Sequence, residues 1–288
     1  VMFLTGGASS QFFMVPMNLL NEDETATYVN TGEWATRAIK EAEAFGKVHV
    51  AASSQDKNFS YIPKGWQVAE GSRYLHITTN NTIFGTQYHA YPEVPADTWL
   101  VADMSSDIFS RPIDATKFDL IYAGAQKNMG PAGTTLVIVR RSILGKVRRH
   151  LPKMLDYRVH AKDKSSYNTP PVFAIYVSML TLRWVQAQGG LAAMGRLNQA
   201  KADLLYSELD SNPLFRPTAA KEDRSWMNVN FLTADPAHEK PFLDYCKANG
   251  IIGINGHRSV GGCRASMYNA LPLESVQYLV ELMRGFKP

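Results

Sequence analysis

"DLIYAGAQKNMGPAGTTLVIV", residues 119–139, sets one lysine between two apolar runs. "DLIY" and "TTLVIV" both read as buried strands, and Gly124, Ala125, Gly130, Ala132 and Gly133 crowd Lys127 within six positions. An ammonium is costly to desolvate without a partner, so a lysine here needs something to touch. Other lysines of the chain are expected to be solvated surface groups; the preceding strand and the glycines reverse that expectation for Lys127. A desolvated amine has a lowered pKa and can act as a Schiff-base nucleophile. The second run starts ten residues after "DLIYAG" ends. That is too short for a helical crossover and predicts an antiparallel neighbour.

Upstream, short apolar runs alternate with helical patterns, the grammar of an α/β fold with a mainly parallel sheet. "VMFL", "ATYVN", "KVHVAAS", "YLHITTN" and "TWLVADM" are predicted strands. "TGGASS" opens a helix through Phe12, Phe13, Val15 and Leu19, and a second helix over 34–45 aligns Trp34, Ala38, Ala42 and Phe45. Downstream, "NTPP" leads into a helix with Val172, Ile175, Tyr176, Met179, Leu180 and Trp184 on one face, ending at Gly189-Gly190. Beyond it come a helix over 191–209, a strand in "WMNVNFLT", a helix in "PFLDYCKANG", short strands around "GINGHRSVGGCRASMYN" and a last helix in "LESVQYLVELM". The change of pattern predicts a large domain over 1–189 and a small α+β domain over 190–288.

Bulk properties narrow the function classes. The chain has 288 residues, 45% hydrophobic and 19% charged, the balance of a well-packed soluble enzyme. No apolar run approaches the ~18 residues of a membrane span. A net charge of +4 without a basic block argues against nucleic acid. Cys246 and Cys263 lack metal-ligand spacing and read as reduced thiols of a cytoplasmic protein; no metal site is expected. "VMFLTGG" begins in mid-strand, which predicts that an N-terminal part of the natural protein precedes it.

Four stretches carry chemistry together. "GGASS" between strand and helix reads as a turn or as an anion site, since a helix N-terminus with a Ser hydroxyl attracts phosphate. It lacks the patterns of a P-loop or a dinucleotide fold. "WLVADMSSD" ends an apolar strand on Asp103, which either caps a turn or pairs with a cation at the strand's carboxyl end. Lys127 is the third stretch. The fourth, "GHRSVGGCR", offers His257, Arg258 and Arg264, solvated in the plain reading and otherwise a grip on carboxylate or phosphate. An amine for an aldehyde, a carboxylate for a ring nitrogen and a helix start for phosphate are the three needs of pyridoxal phosphate.

The chain resembles the phosphoserine aminotransferase family, class-V, fold-type I pyridoxal-phosphate enzymes, along nearly its whole length. "AGAQKNMGPAG", "RPID", "NTPP" and "GHRSVGGCRASMYNALP" carry the resemblance. It implies that Lys127 bonds the cofactor and Asp103 pairs with the pyridine nitrogen. Trp34 would stack on the ring, Thr82 would bond its phenolic oxygen, and Ala8, Ser9 and Gln126 would hold the phosphate. Asn168 and Thr169 would come from the partner of a homodimer; an ordinary N-cap is the plain reading of that pair. His257, Arg258 and Arg264 would bind the anionic groups of L-glutamate and 3-phosphohydroxypyruvate in serine biosynthesis. Pyridoxine synthesis would use the same chemistry on a phosphohydroxythreonine. Two departures stand out: the N-terminal segment carrying the family's His-Arg pair is absent here, and Ser9 stands where some members have arginine. The rivals are another fold-type I enzyme, such as a desulfurase or alanine-type aminotransferase, and a chain that binds cofactor without turnover.

Overall fold

The computed structural model describes residues 1–258 and 260–288. In chain order the strands are β1 (Met2–Leu4), β2 (Thr25–Asn30), β3 (Lys47–Ser53), β4 (Tyr74–Thr78), the short pair β5 (Asn80–Asn81) and β6 (Thr86–Gln87), β7 (Trp99–Asp103), β8 (Leu120–Gly124), β9 (Thr135–Val139), β10 (Phe215–Pro217), β11 (Asn228–Thr233) and β12 (Cys263–Ser266). The helices are α1 (Gly7–Leu19), α2 (Glu33–Ala42), α3 (Tyr157–Lys162), α4 (Val172–Ala187), α5 (Gly190–Ser211), α6 (Glu239–Ala248) and α7 (Leu273–Gly285).

Seven strands form one sheet in the order β1-β9-β8-β7-β4-β2-β3. Only β9 runs against its neighbours, pairing antiparallel with both β8 and β1. The short link across Lys127 leads to this outcome, since ten residues leave no room for a crossover helix. Both faces of the sheet are covered, so its central strands are apolar almost throughout. One face sets Tyr28, Tyr74, Val101, Leu120 and Tyr122 against α1 and α2, and the other buries Leu75, Ile77, Leu100, Ala102, Ile121 and Ala123.

Two elements differ from expectation. α2 starts at Glu33 and ends at Ala42, and it buries Ala35, Ala38, Ile39 and Ala42. Phe45 lies outside the helix and Trp34 is only half-buried. Small alanines bring this helix close to the sheet; Trp34 packs at the edge of that core, and Phe45 lies beyond the helix end. α4 buries Ala174, Ser178 and Val185, while Val172, Phe173, Tyr176 and Trp184 are exposed. The contact side holds small residues because Gly130 approaches the helix so closely that a Cβ there would come within 2.5 Å of Ser178 Oγ.

The three-stranded antiparallel sheet β10-β11-β12 has its own core, in which Phe215, Phe231, Phe242 and Phe286 meet residues of α5, α6 and α7. β10, α3 and the β5–β6 hairpin had no clear sequence signal. Each is too short for periodicity to show.

Candidate active site

Five of the six parallel strands, β1, β2, β4, β7 and β8, end at one cavity of about 330 Å³. After β1 it is lined by Gly6, Gly7, Ala8 and Ser9; after β2, by Trp34; at the end of β4, by Thr78 and Asn80. β7 contributes Asp103, Ser105 and Ser106, and the turn after β8 contributes Gln126 and Lys127. Carboxyl ends of parallel strands are where such sheets bind ligands. A larger groove of about 790 Å³ between Trp66 and Tyr91 contains none of these strand-end groups.

The helix start at α1 is built for an anion. Gly6 has φ +96°, and a Cβ there would fall 1.9 Å from Ser10 Oγ, so glycine is required. No side chain caps α1 and no acidic residue occupies its first turn. Its leading N–H groups and positive dipole end are thus left for whatever fills the cavity.

Asp103 is buried, and its Oδ1 accepts from Ser105 N at 2.9 Å. Burial pushes its carboxyl above the usual range, opposed by the Ser105 hydrogen bonds, the Lys127 charge and the Tyr122 phenol. Lys127 is half-buried and donates from Nζ to Thr82 Oγ1 at 3.1 Å. Burial pushes its amine down, the Asp103 carboxylate holds it up, and the Arg264 guanidinium pushes it down again. Arg264 comes from the second sheet, where β12 pairs it with Asn230 of β11.

The structure thus gathers Ala8, Ser9, Trp34, Asp103, Gln126 and Lys127 around one space, with Thr82 bonded to the lysine and Arg264 within its field. His257 and Arg258 do not line the cavity, and Arg258 is exposed. Their loop includes Ser259, which is outside the described residues. Asn168 and Thr169 are exposed and do not line the cavity either. They are not the N-cap of α4, which is Pro171 without a side-chain hydrogen bond.

Sequence reasoning missed the layer behind Asp103. Register places Tyr122 beside Asp103 on β8, and the Tyr122 hydroxyl meets His76 Nε2 at 2.9 Å. Burial pushes His76 down to about 3, so its imidazole is neutral. The signal was legible: Tyr74, His76 and Thr78 recur at every second position of "YLHIT", marking one polar face of a buried strand.

The Aminotransferase class-V family model matches residues 1–279. A phosphoserine aminotransferase of Flavobacterium johnsoniae is 58% identical over 286 residues, covering 99% of this chain and 80% of the relative. The crystal structure of phosphoserine aminotransferase from Bacillus circulans subsp. alkalophilus superposes with a TM-score of 0.96 at 46% identity, covering 99% of this chain and 79% of that one. The PLP-bound enzyme of Trichomonas vaginalis gives 0.92 at 37% identity, covering 98% and 81%. The chain belongs to the class-V aminotransferases, among the phosphoserine aminotransferases.

The residues present fit this family's cofactor, pyridoxal phosphate. An uncapped helix start suits its phosphate, a buried carboxylate suits its ring nitrogen, and a desolvated lysine suits its aldehyde. Two cavity residues keep polar atoms without a protein partner, Trp34 Nε1 and Thr78 Oγ1.

Proposed function

We propose that the protein transfers the amino group of L-glutamate to 3-phosphohydroxypyruvate, giving O-phospho-L-serine and 2-oxoglutarate. The observation that carries this reading is Lys127, held by Thr82 at the mouth of a strand-end cavity whose floor is a buried carboxylate. When bound, pyridoxal phosphate supplies an electrophilic aldehyde and a ring that withdraws electrons from the substrate's Cα. Ala8, Ser9 and Gln126 would hold its phosphate, and Trp34 would pack against its ring. Thr82 would bond its phenolic oxygen, and Asp103 would keep a proton on its ring nitrogen. With the cofactor bound, the Lys127 amine would take a proton from the substrate's Cα and return one as acid. Arg264 would grip the α-carboxylate bidentately, while His257 and Arg258, outside the lining of their own chain's cavity, would meet the distal phosphate or γ-carboxylate across the dimer. Both distal groups are anionic, so one basic pocket serves both substrates. The phosphate-ended substrate of the pyridoxine branch fits the same requirement.

A homodimer with shared sites belongs to this reading. The exposed face of α4, with Phe173 76% and Val172 63% accessible, is apolar surface that a partner would bury. Asn168 and Thr169, just ahead of that helix, would serve the partner's cofactor phosphate. Lys127→Ala and the Asn168→Ala, Thr169→Ala pair should complement one another in mixed dimers; exchanged dimers without activity would place the site within one chain. We also take 1–189 as the cofactor-binding unit and 190–288 as the substrate-binding unit. Among the described residues, no helix is long and apolar enough to cross a membrane. The free, buried Cys246 and Cys263 fit the reducing cytoplasm.

The test is direct. Purified protein with both substrates should yield O-phosphoserine and 2-oxoglutarate in equal amounts. Sulfide from cysteine, or alanine from pyruvate, in place of phosphoserine would move the chain to another fold-type I activity.

A further inference from the structure

Lys201 lies in the middle of α5 and is completely buried. Its Nζ donates to Met267 O at 3.0 Å, Tyr268 O at 2.9 Å and Leu271 O at 3.0 Å. Three carbonyls take all three protons of one ammonium, and they belong to a single turn, 267–271. Burial alone pushes this amine down, to about 8. A lysine so costly to bury calls for a reason beyond filling space.

The turn's connections supply the reason. It follows β12, the strand that carries Arg264, and is tied to the second sheet by Met267 N donating to Met227 O. From its far side, Asn269 N donates to Asn128 Oδ1 at 3.0 Å, next to Lys127, and Asn269 Nδ2 donates to Phe109 O at 2.9 Å. One helical turn before Lys201, Asn198 donates to Asn269 Oδ1 at 2.8 Å and to Ser110 O at 2.9 Å. Gly195 continues the same face, with room there for Arg111. α5 therefore presents Gly195, Asn198 and Lys201 as one polar stripe against the joint between the two sheets.

We propose that Lys201 is a positioning residue for transamination: its ammonium locks the 267–271 turn and so sets the distance between Arg264 and Lys127. This rests on the reading that Arg264 takes the substrate's carboxylate. The lock touches neither substrate nor cofactor. Its loss lets the carboxylate grip drift relative to the proton-transferring amine, and both substrates feel this because both carry that carboxylate.

Lys201→Met keeps length and removes the donors. KM for L-glutamate and for 3-phosphohydroxypyruvate should both rise roughly tenfold, kcat should change less, and bound-cofactor absorbance should stay as in the parent. Lys201→Ala leaves a vacancy ringed by carbonyls. Methylammonium should restore its KM values, and tetramethylammonium, which has no N–H, should not. If Lys201→Met fails to fold, Asn269→Ala, which leaves Lys201 in place and removes the turn's side-chain bonds to Phe109 O and from Asn198, must show the same rise in both KM values. Parental KM values in a folded Lys201→Met, or in Asn269→Ala, would overturn the proposal. So would loss of cofactor with KM unchanged. A parent protein that does not transaminate would sink the functional reading itself, a different failure from an active parent with indifferent variants.

Discussion

Two lysines, one at the rim of the large sheet and one at its joint with the small sheet, show what burial does and does not mean. Lys127 and Lys201 are both desolvated, and in both the amine is pushed below its ordinary pKa by burial. Their surroundings differ. Among the described residues, the Lys127 amine has one hydrogen bond, to Thr82, with a carboxylate in its field and an open cavity beside it. Lys201 has three carbonyl acceptors and is completely buried. A lysine with unused bonding capacity facing a cavity is placed to react, and one with every proton committed is placed to hold. Desolvation alone would have scored the two alike.

The contrast breaks most directly at the reactive end. Lys127→Ala should abolish nearly all transamination, a loss of several orders of magnitude, because proton transfer at Cα loses its base. Cofactor should still bind through phosphate and ring contacts. Borohydride reduction of the loaded parent protein followed by peptide mapping should place the label on Lys127; a label on Lys201 would invert the assignment. Asp103→Asn comes next. It keeps shape and removes charge, so turnover should fall about a hundredfold or more while cofactor affinity weakens modestly. Near-normal turnover would show that the buried carboxylate does not hold the ring-nitrogen proton.

How legible these two sites were differs for a physical reason. Lys127 stood out because glycines and two strands enclose it, and the antiparallel β9 was readable from a short link. Lys201 sits in "RLNQAKADLL", where a helical lysine among polar neighbours looks solvated, and nothing local predicts that the 267–271 turn will close over it. Long-range burial leaves no mark on the sequence near it. α4 shows the reverse: its apolar face was visible, but its exposure was not, since period gives the face of a helix and not what covers it. His257 and Arg258 were picked by residue type, and the chain does not bring them to the cavity lining. Tyr122 was missed because an aromatic in a buried strand reads as core, though its hydroxyl bonds His76.

Tyr122→Phe sharpens the comparison at a smaller scale by removing a donor to the carboxylate that faces Lys127. The Asp103 carboxyl, already raised by burial, should titrate at still higher pH, and turnover should drop severalfold. Carboxyl carbon-13 shifts of Asp103 in cofactor-free protein would record this without an assay. A titration that stays in place would mean the phenol serves His76 alone.

The smallest effect concerns the holding lysine. Its folded-state pKa of about 8 lies below the ordinary 10.5, so between these values the unfolded chain binds the proton that the folded chain has released. Stability should therefore rise with pH across that window, and this contribution should fade as pH falls to 8. In mid-window the slope is roughly 1 kcal/mol per pH unit. Other groups titrate there as well, so the measurement is a difference: denaturant unfolding of cofactor-free parent and Lys201→Met at several pH values between 8 and 10.5. The Lys201→Met slope should be flatter by about that amount. The three carbonyls act against burial, since each favours the charged amine that donates to it. Equal slopes would mean that they offset desolvation fully and that Lys201 stays an ammonium throughout. The two lysines would then differ in electrostatics as well as in bonding: the holding one kept cationic by its carbonyls, the reactive one pushed by burial toward easier loss of its proton.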